Sequence, residues 1–211
     1  MKKEILAAAR PPLLMQYWRQ LLPHQAFVEL YAAYDAHDNP DAHRAFLRLF
    51  AWLLGHHLPR LIAPERVPSA HALITHQLAA AAAIVHEALD ASQRRITPIE
   101  IIHLRIGVNK VNDAGRCDEF LRTKQGKGAG NIPAWSDCYC SAARAAYAAA
   151  QYVNLCQSGN DDEAMECVFV PLAAAANACA IAALTRDVTP DEESDHMIAF
   201  ARMAEKWVEF L

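Results

Sequence analysis

The sequence predicts an all-α protein, a compact single-domain bundle of about seven or eight helices spanning 1–211. Three observations lead there. Apolar residues recur at three- and four-residue spacing in one segment after another, the period of a helix with one buried face. Two segments open on the same start signal, Thr97-Pro98-Ile99-Glu100 and Thr189-Pro190-Asp191-Glu192: a capping residue, proline at the first helical position and a carboxylate two further on. Proline and glycine collect mainly between the periodic stretches. With 54% hydrophobic residues in 211, the chain can bury a sizeable core without disulfides or metal.

Taken in order, short helices are expected near 2–10, 13–22 and 25–36, the first two stopped by Pro11-Pro12 and Pro23. Asn39-Pro40-Asp41 opens a helix to about Leu58, with Phe46, Leu47, Leu49, Phe50, Leu53 and Leu54 on a broad apolar face. Pro59, Pro64 and Pro68 read as a connector, and Ser69 as the cap of a helix reaching about Asp90. After Thr97 the pattern is double: Ile102, Leu104, Ile106 and Val108 alternate as in a strand, whereas Ile101, Leu104, Val108 and Val111 fit a helix, and the cap favours the helix. Residues 124–133 hold three glycines and form the longest expected loop. Helices over about 134–157, 161–186 and 190–211 follow, the last with Met197, Phe200, Met203 and Trp207 on one stripe.

The formal charge of -4 gives no field that would attract nucleic acid, and no helix has the Arg/Lys-rich face that phosphate contacts require, so no nucleic-acid partner is expected. It leans slightly towards a basic partner. Cys167 to Leu184 runs eighteen residues without a charge, but it is mostly alanine and is interrupted by Pro171 and Asn177, so a buried central helix is expected rather than a membrane span. The opening Met1-Lys2-Lys3-Glu4-Ile5-Leu6 runs into Arg10-Pro11-Pro12 too soon for a secretion signal. Six cysteines in apolar helical patterns suggest core thiols in a reducing cytoplasm.

The chemistry-bearing residues show no strong pattern. No two of the ten histidines stand three or four residues apart, and the sequence offers little of the ligand spacing that a helical metal site needs, so no metal and no cofactor is expected. His56-His57 fall near an expected helix end, where imidazolium complements the dipole. Cys138 and Cys140 point about 200° apart on a helix, which excludes a zinc knuckle. Cys117 sits between Arg116 and the carboxylates of Asp118 and Glu119, so its thiol is not activated, and no catalytic residue is assigned. The loop Lys124-Gln125-Gly126-Lys127-Gly128-Ala129-Gly130-Asn131 joins exposed backbone N–H groups to positive charge. It lacks the order of a phosphate-binding loop, and a solvent-exposed segment is the plainer reading. Trp135 and Tyr139 follow it closely, as interface anchors or as core. Lys124, Lys127, Asn131, Trp135 and Tyr139 together make the candidate partner-binding surface.

The stretch Ala134-Trp135-Ser136-Asp137-Cys138-Tyr139-Cys140-Ser141-Ala142-Ala143-Arg144-Ala145-Ala146-Tyr147-Ala148-Ala149-Ala150 resembles the alanine-rich, tyrosine-dotted helices of bacterial immunity proteins. The resemblance implies a helical protein that neutralises a cognate toxin by binding it. The expected function is therefore a non-enzymatic protein-binding module of the immunity or antagonist kind. The alternative is a small helical enzyme or ligand-binding protein with a pocket lined by His71, His76, Lys124, Lys127 and Asn131.

Overall fold

A computed structural model of the chain describes residues 39–62, 68–90, 94–124, 133–160, 163–164, 167, 169–185, 203, 205–206 and 209–210. Of these residues 92% are helical and none lies in a strand, which establishes the all-α class. Five helices lie among them. The pieces expected over 2–36, and the start signal at Thr189-Pro190, fall outside the described residues, so the count of seven or eight is not reached within them.

Helix α1 covers Asn39–Trp52, widens into a π turn over Leu53–His57 and closes with Leu58–Leu61. It therefore runs through Pro59, where the sequence suggested a connector. A proline has no N–H to give the carbonyl four residues back, and its ring crowds that carbonyl. The π turn resolves the conflict by closing i→i+5, with the Leu58 N–H donating to the Leu53 carbonyl. His56 and His57 consequently sit within α1 and not at a helix end.

Helix α2 is Pro68–Leu89 and α3 is Pro98–Lys124. Ser69 does not cap α2 with its own side chain. Asp118, reaching over from α3 and buried, accepts the Ser69 backbone N–H at 3.0 Å and its hydroxyl at 2.6 Å. The start of α3 is the expected reciprocal box: the Glu100 carboxylate accepts the Thr97 N–H at 2.9 Å and the hydroxyl at 2.8 Å, and the Glu100 N–H points back at the Thr97 oxygen, 3.4 Å away.

Helix α4, Pro133–Gln157, is the hub, packing against α2, α3 and α5, where α5 is Phe169–Thr185. The alanine-rich 167–184 stretch, expected to be central, is half-buried against α4: Leu172, Ala175, Ala176, Ala178, Cys179 and Ala182 face inward, and Val170 faces out. Buried alanines of α4, from Ala142 to Ala150, let its neighbours approach closely. Tyr152 of α4 anchors α1 by edge-on contact with Phe46 and Phe50, at centroid distances of 6.3 and 5.3 Å. Helix α4 ends in a Schellman turn, with Gly159 at φ +74°, the Asn160 N–H on the Leu155 carbonyl and the Gly159 N–H on the Cys156 carbonyl. The last stripe is consistent where it is described: Met203 is buried, Phe210 packs on the core, Glu205 and Glu209 face water, and Arg48 donates to the Phe210 carbonyl.

Candidate functional site

Helices α2 and α3 form an antiparallel pair. Gln77 on α2 meets Leu104 and Gly107 on α3, while Glu87, ten residues on, lies by the start of α3 through Arg94. The contact is close because Gly107 has no side chain. A Cβ there would lie 2.0 Å from Gln77 Oε1, and the space goes to the Gln77 amide, whose Nε2 donates to the Leu104 carbonyl at 2.5 Å.

Outside this contact the two helices enclose an open cleft of about 640 Å³. Its floor is small and apolar, with Ala80, Ala83 and Ile84, and its walls include Leu73 and Ile106. Arg94 closes one end, bonded to both Glu87 and Glu100. The Glu100 carboxyl is held below the usual carboxylate range, first by the Thr97 N–H and then by its hydroxyl, with Arg94 adding to the effect. The Arg94 guanidinium is correspondingly raised, mainly by its bond to Glu100. Along the rest of the cleft stand His76, His103 and Lys110.

The outward side of α3 continues the cleft wall. Ile99, Ile102 and Ile106, at i, i+3 and i+7, are exposed on one face, at 62%, 52% and 43%. Phe120 lies five helical turns beyond Ile102, at the same azimuth and about 27 Å further along. Phe120 and Leu121 are more than half exposed, and the Lys124 ammonium sits over the Phe120 ring, 4.5 Å from its centroid.

Three residues of the sequence-predicted surface, Lys124, Trp135 and Tyr139, are among the described ones. Lys124 is exposed at the end of α3. Trp135 and Tyr139 are core residues, 4% and 0% exposed, packed edge to face at 6.2 Å. They cannot meet a partner as surface anchors unless α4 moves, because each is enclosed by its neighbours. Lys127 and Asn131 lie outside the described residues. Of the residues of the alternative pocket, His76 lines the cleft and His71 and Lys124 do not, while Lys127 and Asn131 lie outside the described residues.

Two thiol–imidazole contacts were not legible from spacing, since each joins residues more than a hundred positions apart. Cys179 Sγ lies 3.3 Å from His57 Nε2, with Trp52 stacked on the same imidazole at 4.7 Å. Cys156 Sγ lies 3.7 Å from His43 Nδ1, which also shares a 2.6 Å hydrogen bond with the Tyr152 hydroxyl. All six cysteines are thiols; Cys138, Cys140 and Cys179 are buried, Cys156 and Cys167 partly so, and Cys117 is exposed instead of belonging to the core. Burial pushes the Cys140 thiol up, so it resists ionisation. Among the described residues no group of three or more His, Cys, Asp or Glu is placed to hold a metal ion.

Among the described residues one helix, Ser69–Leu89, is long and apolar enough to cross a membrane; it belongs to α2, which packs against α1, α3 and α4. Comparison of the chain with protein-family models, with curated proteins and with solved structures returns no match.

Proposed function

We propose that this chain is a non-enzymatic protein-binding module of the immunity or antagonist kind, acting in the cytoplasm, and that the outward face of α3 meets its partner. The observation that carries this reading is the set of five large apolar side chains, Ile99, Ile102, Ile106, Phe120 and Leu121, exposed on one helix of a bundle that has an ample buried core. Scattered single apolar residues are ordinary on a surface, but here they stand in two clusters, Ile99, Ile102 and Ile106 near the start of α3 and Phe120 with Leu121 near its end, and exposed apolar clusters mark interaction sites. Lys124 joins this face through the Phe120 ring, so one residue of the sequence-predicted surface is retained. Six thiols support a reducing compartment. The resemblance of the 134–150 stretch to immunity proteins supplies the antagonist part of the reading.

The test is a growth assay with the product of the adjacent gene as the candidate toxin. Co-expression of the wild-type chain is expected to restore growth, and Phe120→Asp with Leu121→Asp to abolish rescue while circular dichroism and melting stay unchanged. Rescue indifferent to substitution along the whole α3 face would overturn the surface. A second reading, a small-ligand site, is favoured by the cleft volume, which falls in the range of small-molecule pockets. Under that reading a soaked metabolite pool would raise the melting temperature, and Ala83→Trp would cancel the rise.

A further inference from the structure

We propose that Cys156 is a reversible modification site, a thiol that His43 deprotonates and that exchanges with small disulfides to carry a mixed disulfide. It is built from α1 and α4, so it depends neither on the α3 face nor on the protein-binding reading.

Access separates the two thiol–imidazole contacts described above. Cys179 is 1% exposed beside His57, so a reagent does not reach it in the folded chain. Cys156 and His43 are each partly exposed, with Sγ 3.7 Å from Nδ1. A nucleophile in reach of a base that a third group holds in place is the arrangement that activates a thiol. Here the third group is Tyr152, buried on α4 one turn before Cys156, with its hydroxyl 2.6 Å from the same Nδ1. A hydroxyl suits that place, because it can donate to neutral imidazole and accept from imidazolium. The ring therefore keeps its position in both protonation states.

Cys156 stands in the last turn of α4, where the helix dipole favours a cation and disfavours an anion. The imidazolium gains from that end. The cost to the thiolate is reduced by the Schellman turn, in which the Leu155 carbonyl accepts the Asn160 N–H and the Cys156 carbonyl the Gly159 N–H. In the exchange the Cys156 proton passes to Nδ1 and the thiolate attacks one sulfur of a small disulfide, R–S–S–R. A bond from Sγ to that sulfur forms as the old S–S bond breaks, and the leaving RS⁻ takes the proton from His43 and departs as RSH. Cys156 is oxidised and half of the disulfide is reduced, so no further oxidant is needed. In a reducing compartment the adduct is transient and is removed by the same exchange run backwards.

The test treats the native full chain at pH 7 with bis(2-hydroxyethyl) disulfide, a neutral probe, and follows each cysteine by peptide mass spectrometry after acid quenching. Exposed Cys117, next to the carboxylates of Asp118 and Glu119 in the chain, is the internal reference. An unassisted thiol is only a few per cent thiolate at pH 7, so assistance raises the rate by about thirtyfold at most, and the lower nucleophilicity of a stabilised thiolate takes part of that back. Cys156 is expected to react about tenfold faster than Cys117 despite its lower exposure. His43→Gln, whose amide can still meet the Tyr152 hydroxyl but takes no proton, should bring Cys156 below Cys117. Tyr152→Phe keeps the ring against Phe46 and Phe50 and should lower the Cys156-to-Cys117 ratio severalfold. Cys138 and Cys179 left unmodified in the same spectra show that each variant is folded. Cys156 reacting no faster than Cys117 in the wild-type chain overturns the proposal without any variant, and so does an unchanged ratio in folded His43→Gln. An unchanged ratio in Tyr152→Phe overturns the positioning role of Tyr152.

Discussion

Replacing Gly115 by alanine should destabilise the bundle, although alanine is the better helix former. On propensity alone the change gains about 1 kcal/mol. The added Cβ, however, would stand 2.7 Å from Ser136 Cβ and 3.2 Å from Ser136 Cα on α4. Ordinary carbon contacts lie near 3.5–4.0 Å, so α3 and α4 must separate by roughly 1 Å along one of the main interfaces of the molecule. Backbone lies behind the clash, so no side-chain rotation relieves it, and overpacking of this sort costs about 1–3 kcal/mol. The net expectation is a loss of up to about 2 kcal/mol, a fall in Tm of several degrees for a chain of this size. Gly55→Ala is the internal control: nothing lies within 4 Å of a Cβ built there, so the same chemical change should raise stability by up to about 1 kcal/mol. Gly107→Ala falls between, because the atom it meets is the movable end of Gln77, and the loss of one buried hydrogen bond, about 1 kcal/mol, offsets the propensity gain. Urea titrations followed at 222 nm measure all three. If Gly115→Ala is as stable as Gly55→Ala, the α3–α4 approach described above is wrong.

Other expectations follow from the same contacts. Asp118→Ala strips the first turn of α2 of its acceptor and should cost about 1–2 kcal/mol by denaturant unfolding, and Asp118→Asn should recover part of it. Thr97→Ala should cost about 1 kcal/mol, while Glu100→Gln keeps the box geometry and loses less. The folded-state pKa of Glu100 is depressed, so its contribution is present above an unfolded value of about 4.3 and is lost as pH falls through the folded value. The stability profile of Glu100→Gln should therefore be flatter than wild type below about pH 4.3 and parallel to it above. With iodoacetamide, Cys117 should react in the native protein while Cys138, Cys140 and Cys179 wait for unfolding, as peptide mass spectrometry would show; early labelling of Cys140 would contradict its burial.

How much the sequence discloses depends on the distance over which each feature is written. The Thr97–Glu100 box is complete within four residues and was legible in full. The strand-like alternation after it has a physical explanation: in a helix Ile102 and Ile106 share the outward face, while Leu104 and Val108 share the inward one, so an apolar period of two records two apolar faces. The exposed stripe was thus present in the sequence as an ambiguity. Trp135 and Tyr139 were uncertain because closeness to a loop says nothing about burial, which is set by α3, α5 and the rest of α4. The cleft was not legible at all. It needs α2 and α3 paired in one register, and that register rests on Gln77 meeting Gly107 across thirty positions of chain.

The π turn in α1 has a consequence beyond accommodating Pro59. An unbroken α-helix carrying Phe46, Leu49, Phe50, Leu53 and Leu54 on its buried side would drift by the time it reached Leu58, Leu61 and Ile62, and would bring His57 towards the middle of that side. One surplus residue in the turn delays the phase by about 100°, which returns the three later apolar residues to the stripe and carries His57 to its margin, beside Trp52 and Cys179. The insertion behaves as a one-residue clutch between two apolar tracts. Deleting the exposed Gly55 would therefore let the turn close to a regular α-helix with Leu58, Leu61 and Ile62 still in phase with the core, whereas closing it to α at full length would rotate them out and drive an imidazole in.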